Sequence, residues 1–358
     1  MHPLRDIVAA YDPDLPLERA STIPASWYTD PRVFDLELRT AFARSWQVAA
    51  RVEQLSEPGR FVTCDIAGQP IVVVRGSDDI IRAFFNVCRH HAAAVVADPE
   101  GSAKHLRCPY HGWTYALDGE LKGTPDFSDA CDFDRRTNRL VPVALEQWQG
   151  WLLVNLESLP LPVSEFLGSA LQAQFRGLHL ERLSWVERRR YVLDCNWKVF
   201  IDNYLDGGYH VPYLHQDLHS ALDYSNYIIE NGDRYCLQSS PHATRQRALY
   251  YWIHPNFMVN WYGTMMDTNL VVPLSVNRTE VIFDFYFADV SDAARADNLA
   301  SIAASEKIQD EDVAICASVQ RGLTSRAYTT GRLSPRREAG EHLFHRLLHR
   351  DLETGLAD

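Results

Sequence analysis

The sequence contains no apolar run approaching the roughly 18–20 residues that a membrane-spanning helix needs, so a bilayer-spanning role is not expected. Its first residues, Met1-His2-Pro3-Leu4-Arg5-Asp6, carry no apolar signal core and soon meet Asp12, Asp14 and Glu18; neither a secretory nor a transit peptide is evident. Positive charge is in deficit: 35 Lys and Arg stand against 47 Asp and Glu, a formal charge of −12. Nucleic acid and anionic membrane surfaces are therefore poor partners. Repeats and low-complexity stretches are absent, as is any Gly-rich unit of the flavin- or nicotinamide-binding type. Of the seven cysteines (64, 88, 108, 131, 195, 236 and 316), Cys88 and Cys108 each stand close to a histidine, and the other five form an odd, scattered set. That excludes an obvious disulfide framework and predicts reduced thiols in a cytoplasm.

What is present is enough apolar material for two cores. The chain has 358 residues, 46% of them hydrophobic, and single cores stop growing near roughly 250–300 residues. Asp30 as a cap, Pro31 in the first turn and Phe34, Leu38 and Phe42 at helical spacing predict a helix over 30–46. Short strands are predicted at Arg60–Ile66, Pro70–Arg75, Ile80–Asn86, Thr114–Ala116 and Trp151–Asn155. Gly68, Gly76, Asp118-Gly119 and Gly150 punctuate them, which describes a small β domain. Pro160 and Pro162 mark a linker. Beyond it the pattern predicts a helix at Trp197–Tyr204 and strands at Tyr250–Trp261, Asn269–Val276 and Glu280–Val290. Helices follow at Ala293–Gly322 and Glu338–Leu352, the last with Leu343, Phe344, Leu347 and Leu348 on its apolar side. Strands followed by helices give an α+β class.

Chemistry enters with two short motifs, Cys88-Arg89-His90 and Cys108-Pro109-Tyr110-His111, each pairing a thiol with an imidazole. Two such pairs suit a Rieske [2Fe–2S] cluster, with two thiolates on one iron and two imidazoles on the other. Neutral imidazoles donate less charge than thiolates, so such a cluster accepts an electron at a higher potential. The competing reading is a Cys2His2 zinc site. Zinc fingers of that class usually keep the two Cys together and the two His together, whereas here each Cys has its own His. Tyr110, Gly112 and Trp113 also suit a water-poor cover over a redox centre. The run CPYHGWTYALDGEL resembles the form found in Rieske oxygenases.

A second metal signal lies at His210 and His215. Five positions on an ideal helix turn the axis by about 140° beyond one full turn, so the two imidazoles would not share a face and the backbone is expected to turn between them. Gly207, Gly208 and Pro212 supply the means. Two imidazoles and one distant carboxylate make the facial triad of non-heme iron(II) oxygenases, whose open positions admit dioxygen. Two ordinary histidines are the blander reading, but a cluster upstream needs an acceptor. For the carboxylate, Asp312 is the choice. It lies with Ile308, Ile315 and Val319 on or near one helix face, which is expected to look inward. Asp310 and Glu311 then point away into solvent, although composition alone does not separate Asp310 from Asp312.

These residues resemble the Rieske-type non-heme iron oxygenase α subunits over nearly the whole chain. Within that family the chain is most similar to the branch acting on quaternary ammonium compounds, the choline monooxygenases and their relatives. The stretches carrying the resemblance are 196–215, 254–263 and 311–350. It implies a small all-β Rieske domain over 44–157 and a helix-grip catalytic domain over 1–43 and 158–358. Cys88, His90, Cys108 and His111 would hold the cluster; His210, His215 and Asp312 would hold mononuclear Fe(II). A homotrimer is implied in which one subunit's cluster feeds the next subunit's iron through a bridging carboxylate. Many members carry that carboxylate three residues before the first iron histidine. Gly207 stands there, so Asp206 is the candidate, with Asp202 in reserve: positions 202, 206 and 210 would share a helical face. Ala317, where relatives often carry Glu, is a second departure.

The electrons would come from an external ferredoxin or flavin reductase and the oxidant from O2. A quaternary ammonium substrate demands an aromatic cage, at about 0.5–2 kcal/mol per good cation–π contact. Trp252, Phe257, Trp261 and Tyr262 are the expected pocket liners, against the alternative that aromatics on strands are core. For choline the product would be betaine aldehyde hydrate. The alternatives are an N-demethylase or monooxygenase of glycine betaine, stachydrine, carnitine or an aromatic acid, and, from a different class, a Rieske electron carrier without oxygenase activity.

Overall fold

Strand Gln69–Arg75 is buried on both faces, because Val72 and Val74 enter one core and Ile71 and Val73 enter another. The computed structural model describes residues 2–215, 226–242 and 245–357, and this strand is central to the unit spanning 42–166. The unit is built on a seven-stranded antiparallel sheet. In spatial order its strands are Gln47–Arg51, Trp151–Asn155, Pro142–Trp148, Ile81–Phe85, Gln69–Arg75, Arg60–Ile66 and Glu100–Ser102. A second, three-stranded sheet joins Leu106–Arg107, Thr114–Tyr115 and Leu121–Gly123. The core shared with Val72 and Val74 includes Cys88, Cys108, Trp113 and Tyr115, so both Cys/His loops pack over one face of the larger sheet.

The other unit comprises 1–41 and 167–358. Its sheet is also seven-stranded and antiparallel, in the order Ser184–Leu193, Arg278–Phe287, Met265–Ser275, Phe257–Trp261, Arg245–Ile253, Tyr235–His242 and Ile228–Asn231. Helix Trp197–Leu205 lies against strand Met265–Ser275 and packs on the long helices Arg295–Leu323 and Ala339–Ala357. A sheet closing on helices is the helix-grip arrangement that the resemblance implied. Phe344, Leu347 and Leu348 are buried as the amphipathic pattern predicted.

Helix Trp197–Leu205 begins where the Asn196 side chain accepts from the Lys198 N–H. Lys198 is fully buried and its ammonium lies 2.6 Å from Glu37, which also accepts from Trp197 Nε1. Burial pushes the Glu37 carboxyl up and the Lys198 ammonium down, while each opposes the shift of the other. Lys198→Met, which leaves Glu37 as an uncompensated buried charge, is expected to cost about 3–5 kcal/mol of stability in denaturant titration. Glu37→Gln combined with Lys198→Met should recover part of that loss.

Several elements differ from expectation. The helix predicted over 30–46 is α-helical only at Pro31–Glu37, then widens into a π-turn at Leu38–Phe42. Asp30 caps it as expected, accepting from the Arg32 N–H. The strand predicted at Tyr250–Trp261 is two antiparallel strands, because Pro255 cannot continue a ladder and the chain reverses at His254–Asn256. Strands Ser184–Leu193, Ile228–Asn231 and Tyr235–His242 were not anticipated. Glu187, Arg188, Arg189 and Arg190 interrupt the period-two signal in the first, the second offers only two apolar residues, and Gln238, Ser239 and Ser240 take buried positions in the third.

Candidate cluster and iron centres

The two Cys/His loops fold alike. In the first, Cys88 N–H donates to the Ala93 carbonyl and Ala92 N–H to the Cys88 carbonyl. In the second, Cys108 N–H donates to Trp113 and Gly112 N–H to Cys108. Ala92 and Gly112 occupy the same left-handed position, at φ 60° and 73°. Both Cys are buried, and the His90 and His111 rings lie 4.6 Å apart, His90 stacked on Trp113 at 4.7 Å. His90 Nδ1 is buried with no hydrogen-bond partner, as a metal-ligating nitrogen should be before its metal is counted. Among the described residues, the His, Cys, Asp and Glu side chains that converge within 4.8 Å in groups of three include none of these four. A single tetrahedral zinc ion would demand such convergence; two irons spread their ligands apart.

The Tyr115 hydroxyl accepts from Arg89 N–H at 2.9 Å and lies 3.5 Å from Cys88 Sγ, to which it can donate. A hydrogen bond to a cluster sulfur favours the reduced, more negative state. Tyr115→Phe is therefore expected to lower the cluster midpoint potential. A bond worth about 1 kcal/mol corresponds to about 40 mV for one electron. A redox titration followed by magnetic resonance checks this.

In the other unit, His210, His215 and Asp312 converge. His215 Nε2 lies 3.0 Å and His210 Nε2 3.9 Å from Asp312 Oδ1. Donors bonded to one ion at about 2.0–2.2 Å sit at about this separation. Each ring is held from behind: His210 Nδ1 donates to Asp206 Oδ2 and His215 Nδ1 to Glu311 Oε2, both at 2.6 Å. Both Nε2 atoms are thus fixed as the inward ones, the orientation a ligating histidine needs. Asn203 Nδ2 donates to Asp312 Oδ1 at 2.9 Å. Burial alone would lower the His215 pKa, but Asp312 and then Glu311 outweigh it and raise it.

Three expectations on helix Arg295–Leu323 need correction. Glu311 does not point into solvent; it buttresses His215. Ile315 and Val319 are exposed in the chain, not inward. The buried stripe is Gln309, Asp312, Cys316, Gln320 and Leu323. It repeats at three and four residues but carries two glutamines, one of which accepts from Asn196 N–H, so an apolar pattern could not reveal it.

The structure also accounts for the displaced carboxylate. Gly207 sits at φ +68°, and a Cβ there would lie 2.1 Å from the Arg337 carbonyl oxygen. No side chain fits, so the carboxylate can stand only one residue earlier. Asp206 is not part of a continuing helix, since the helix ends at Leu205 and Gly207 and Gly208 turn the chain. Its oxygens accept from Tyr209 N–H and His210 N–H as well as His210 Nδ1–H. Asp202, on the helix proper, is turned elsewhere. It accepts from Tyr28 OH at 2.5 Å and pairs with His345 at 3.0 Å.

A cavity of about 140 Å³ opens onto His210, His215 and Asp312, close to the roughly 150 Å³ that holds a benzene-sized molecule. Tyr204, Tyr227, Tyr250, Tyr262 and Phe283 line it. Of the four expected liners only Tyr262 is among them. Phe257 and Trp261 alternate with Asn260 and Tyr262 along one strand and so take the opposite sheet face. Trp252 shares Tyr250's face but is fully buried farther along, against Phe344 and His254, with Nε1 donating to Pro255.

The Rieske [2Fe-2S] domain family matches residues 45–143, and the ring-hydroxylating α-subunit catalytic domain matches 180–228 and 221–354. A choline monooxygenase of Arabidopsis thaliana, described as chloroplastic, is 39% identical across 97% of this chain and 86% of its own length. The chain belongs to the Rieske oxygenase α subunits. A carnitine monooxygenase oxygenase subunit of Escherichia coli is 30% identical over 87% of this chain and 86% of its own. A quaternary ammonium Rieske monooxygenase of solved structure, described for carnitine oxidation and inter-subunit electron transfer, is 26% identical. It superposes with a TM-score of 0.85 over 99% of both chains.

As a Rieske oxygenase the chain is a non-heme iron monooxygenase with a [2Fe–2S] cluster and a mononuclear iron, and it requires O2 and external electrons. The residues present fit both groups, through the orphaned His90 nitrogen and the converging Nε2 and carboxylate atoms. Among the described residues no helix is long and apolar enough to cross a membrane. Sequence reading missed Asn203, Glu311 and the pocket carboxylate Asp267. Asn203 lay within the stretch 196–215 but its spacing to the histidines carried no ligand pattern, Asp267 belongs to no motif, and Glu311 was visible only as a neighbour of Asp312.

Proposed function

We propose that this chain oxygenates a small quaternary ammonium compound, choline first among them, with Cys88, His90, Cys108 and His111 holding the cluster and His210, His215 and Asp312 the iron. The balanced reaction is choline plus O2, two electrons and two protons, giving betaine aldehyde hydrate and water. The bound metals supply electron storage and dioxygen activation. The chain's own residues do the remainder. Asp206 and Glu311 hold the two imidazoles with Nε2 inward, Asn203 orients Asp312, and the tyrosine wall excludes water and receives the trimethylammonium group. The observation carrying this reading is the small, tyrosine-lined cavity that contains the three candidate ligands.

The proposal includes a homotrimer with Asp206 as the inter-subunit bridge. It is supported by the relative described for inter-subunit electron transfer and by the exposure of Tyr209 and Tyr213 beside His210. The donor is a separate ferredoxin or flavin reductase. Five cysteines beyond the cluster pair, none of them in a disulfide, support a reducing, cytoplasmic setting.

The test is oxygen consumption by the holoenzyme with a generic reductase, over choline, glycine betaine, stachydrine, carnitine and aromatic acids, with product analysis. Choline is expected to couple uptake to aldehyde hydrate. Coupling by aromatic acids alone would overturn the quaternary ammonium reading, and an electron carrier would show no substrate-dependent uptake.

A further inference from the structure

One carboxylate on the cavity wall is not accounted for by iron ligation. Asp267 lies on strand Met265–Ser275, is 3% exposed and lines the same cavity as His210, His215 and Asp312. Asn260 Nδ2 donates to its Oδ2 at 2.7 Å and Asn269 Nδ2 to the same oxygen at 3.0 Å. Among the described residues nothing donates to Oδ1. Tyr204 OH in turn donates to Asn260 Oδ1 at 2.7 Å, so the carboxylate is held in a fixed frame. Among the described residues lining the cavity there is no Lys or Arg.

A buried carboxylate without a cationic neighbour is costly. Hydrogen bonding to one oxygen offsets only part of that cost, and a ligand cation would offset the remainder. The tyrosines around it offer π-faces to the same cation. A ligand bearing its own carboxylate, by contrast, would meet a wall with no described Lys or Arg and, besides the candidate iron ligand Asp312, the like charge of Asp267.

We propose that Asp267 is the specificity-determining counter-charge of the pocket, selecting a monocationic quaternary ammonium alcohol over a zwitterionic betaine. The inference rests on the quaternary ammonium reading and goes beyond it by naming the charge class of the substrate. Burial raises the Asp267 pKa to about 6, against the lowering effect of Asn260 and Asn269. The titratable groups facing it are Tyr204, Tyr250 and Tyr262, with His210, His215 and Asp312 on the same cavity.

The experiment is anaerobic calorimetry on the holoenzyme with choline, its uncharged carbon isostere 3,3-dimethylbutan-1-ol, and glycine betaine. Wild type should prefer choline over the isostere by about 10-fold or more. Asp267→Asn should erase that preference while holding the isostere within about 2-fold of wild type. A preference that survives the substitution, an equal loss for both ligands, or tighter binding of glycine betaine than of choline by wild type would each overturn the assignment. A second measurement needs no variant. The choline-to-isostere affinity ratio of wild type should fall as pH drops through about 6, where the carboxylate takes up its proton, and a flat ratio counts against the proposal. Quaternary ammonium binding that ignores Asp267 sinks this inference alone. No binding by any quaternary ammonium sinks the functional reading as well.

Discussion

His210→Ala is expected to reduce the iron content from about three to about two atoms per chain, while the brown colour and reduced-state magnetic resonance signal of the cluster persist. Substrate-dependent oxygenation should fall to background. The expectation follows from the separation of the two donor sets. The Cys/His loops belong to the unit 42–166, and His210 to the other, so deleting His210 removes nothing from the cluster. It leaves His215 and Asp312 as a two-donor site with the imidazole buttressed by Glu311, too few protein ligands to retain iron through purification. Metal analysis and magnetic resonance on one preparation give the result. Full iron content together with full activity would show that the mononuclear site lies elsewhere.

Asp206→Asn is expected to leave iron content nearly intact and slow the cluster's delivery of its electron. The asparagine has a single acceptor oxygen and keeps one of the two backbone bonds that Asp206 makes to Tyr209 N–H and His210 N–H; with Gly207 and Gly208 shaping the chain, the turn should survive. It cannot place an anionic oxygen on His210 Nδ1–H, where Asp206 Oδ2 now lies at 2.6 Å. Loss of a carboxylate behind a ligating histidine typically costs about 10- to 100-fold, and loss of a bridge between centres should reach or exceed that. The measurement is reoxidation of the pre-reduced cluster after mixing with substrate and O2. Unchanged reoxidation would remove Asp206 as the bridge. Loss of iron in this variant would mark it as a support for His210 only.

The two metal signals were readable in the chain because their ligands are mostly local. Cys88 and His90 lie two residues apart, Cys108 and His111 three, and His210 and His215 five, and turns closed by short-range hydrogen bonds bring each set together. The helices with an apolar stripe were equally readable, as in Phe344, Leu347 and Leu348. Failures came where polar residues occupy buried positions. Gln309 and Gln320 hid the true inward stripe around Asp312, and Asn260, Asp267 and Asn269, though on or beside segments predicted as strands, gave no apolar signal for the face that forms the pocket wall.

Residue spacing alone settled that this chain carries paired thiol–imidazole loops, a histidine pair beside a glycine bend, and two domains' worth of core. Covalent neighbours cannot drift apart, so such features survive any arrangement of the remaining chain. Tertiary structure decided the partners and the faces. Glu311 reaches His215 across 96 positions of chain, Gly207 is barred from carrying a side chain by the distant Arg337 carbonyl, and strand register sends Tyr262 into the cavity but Trp261 away from it. Register and helix rotation are set by long-range pairing and by what covers each face; a one-residue slip of a strand would reverse which side chains meet the cavity, and one of a helix would turn them by about 100°.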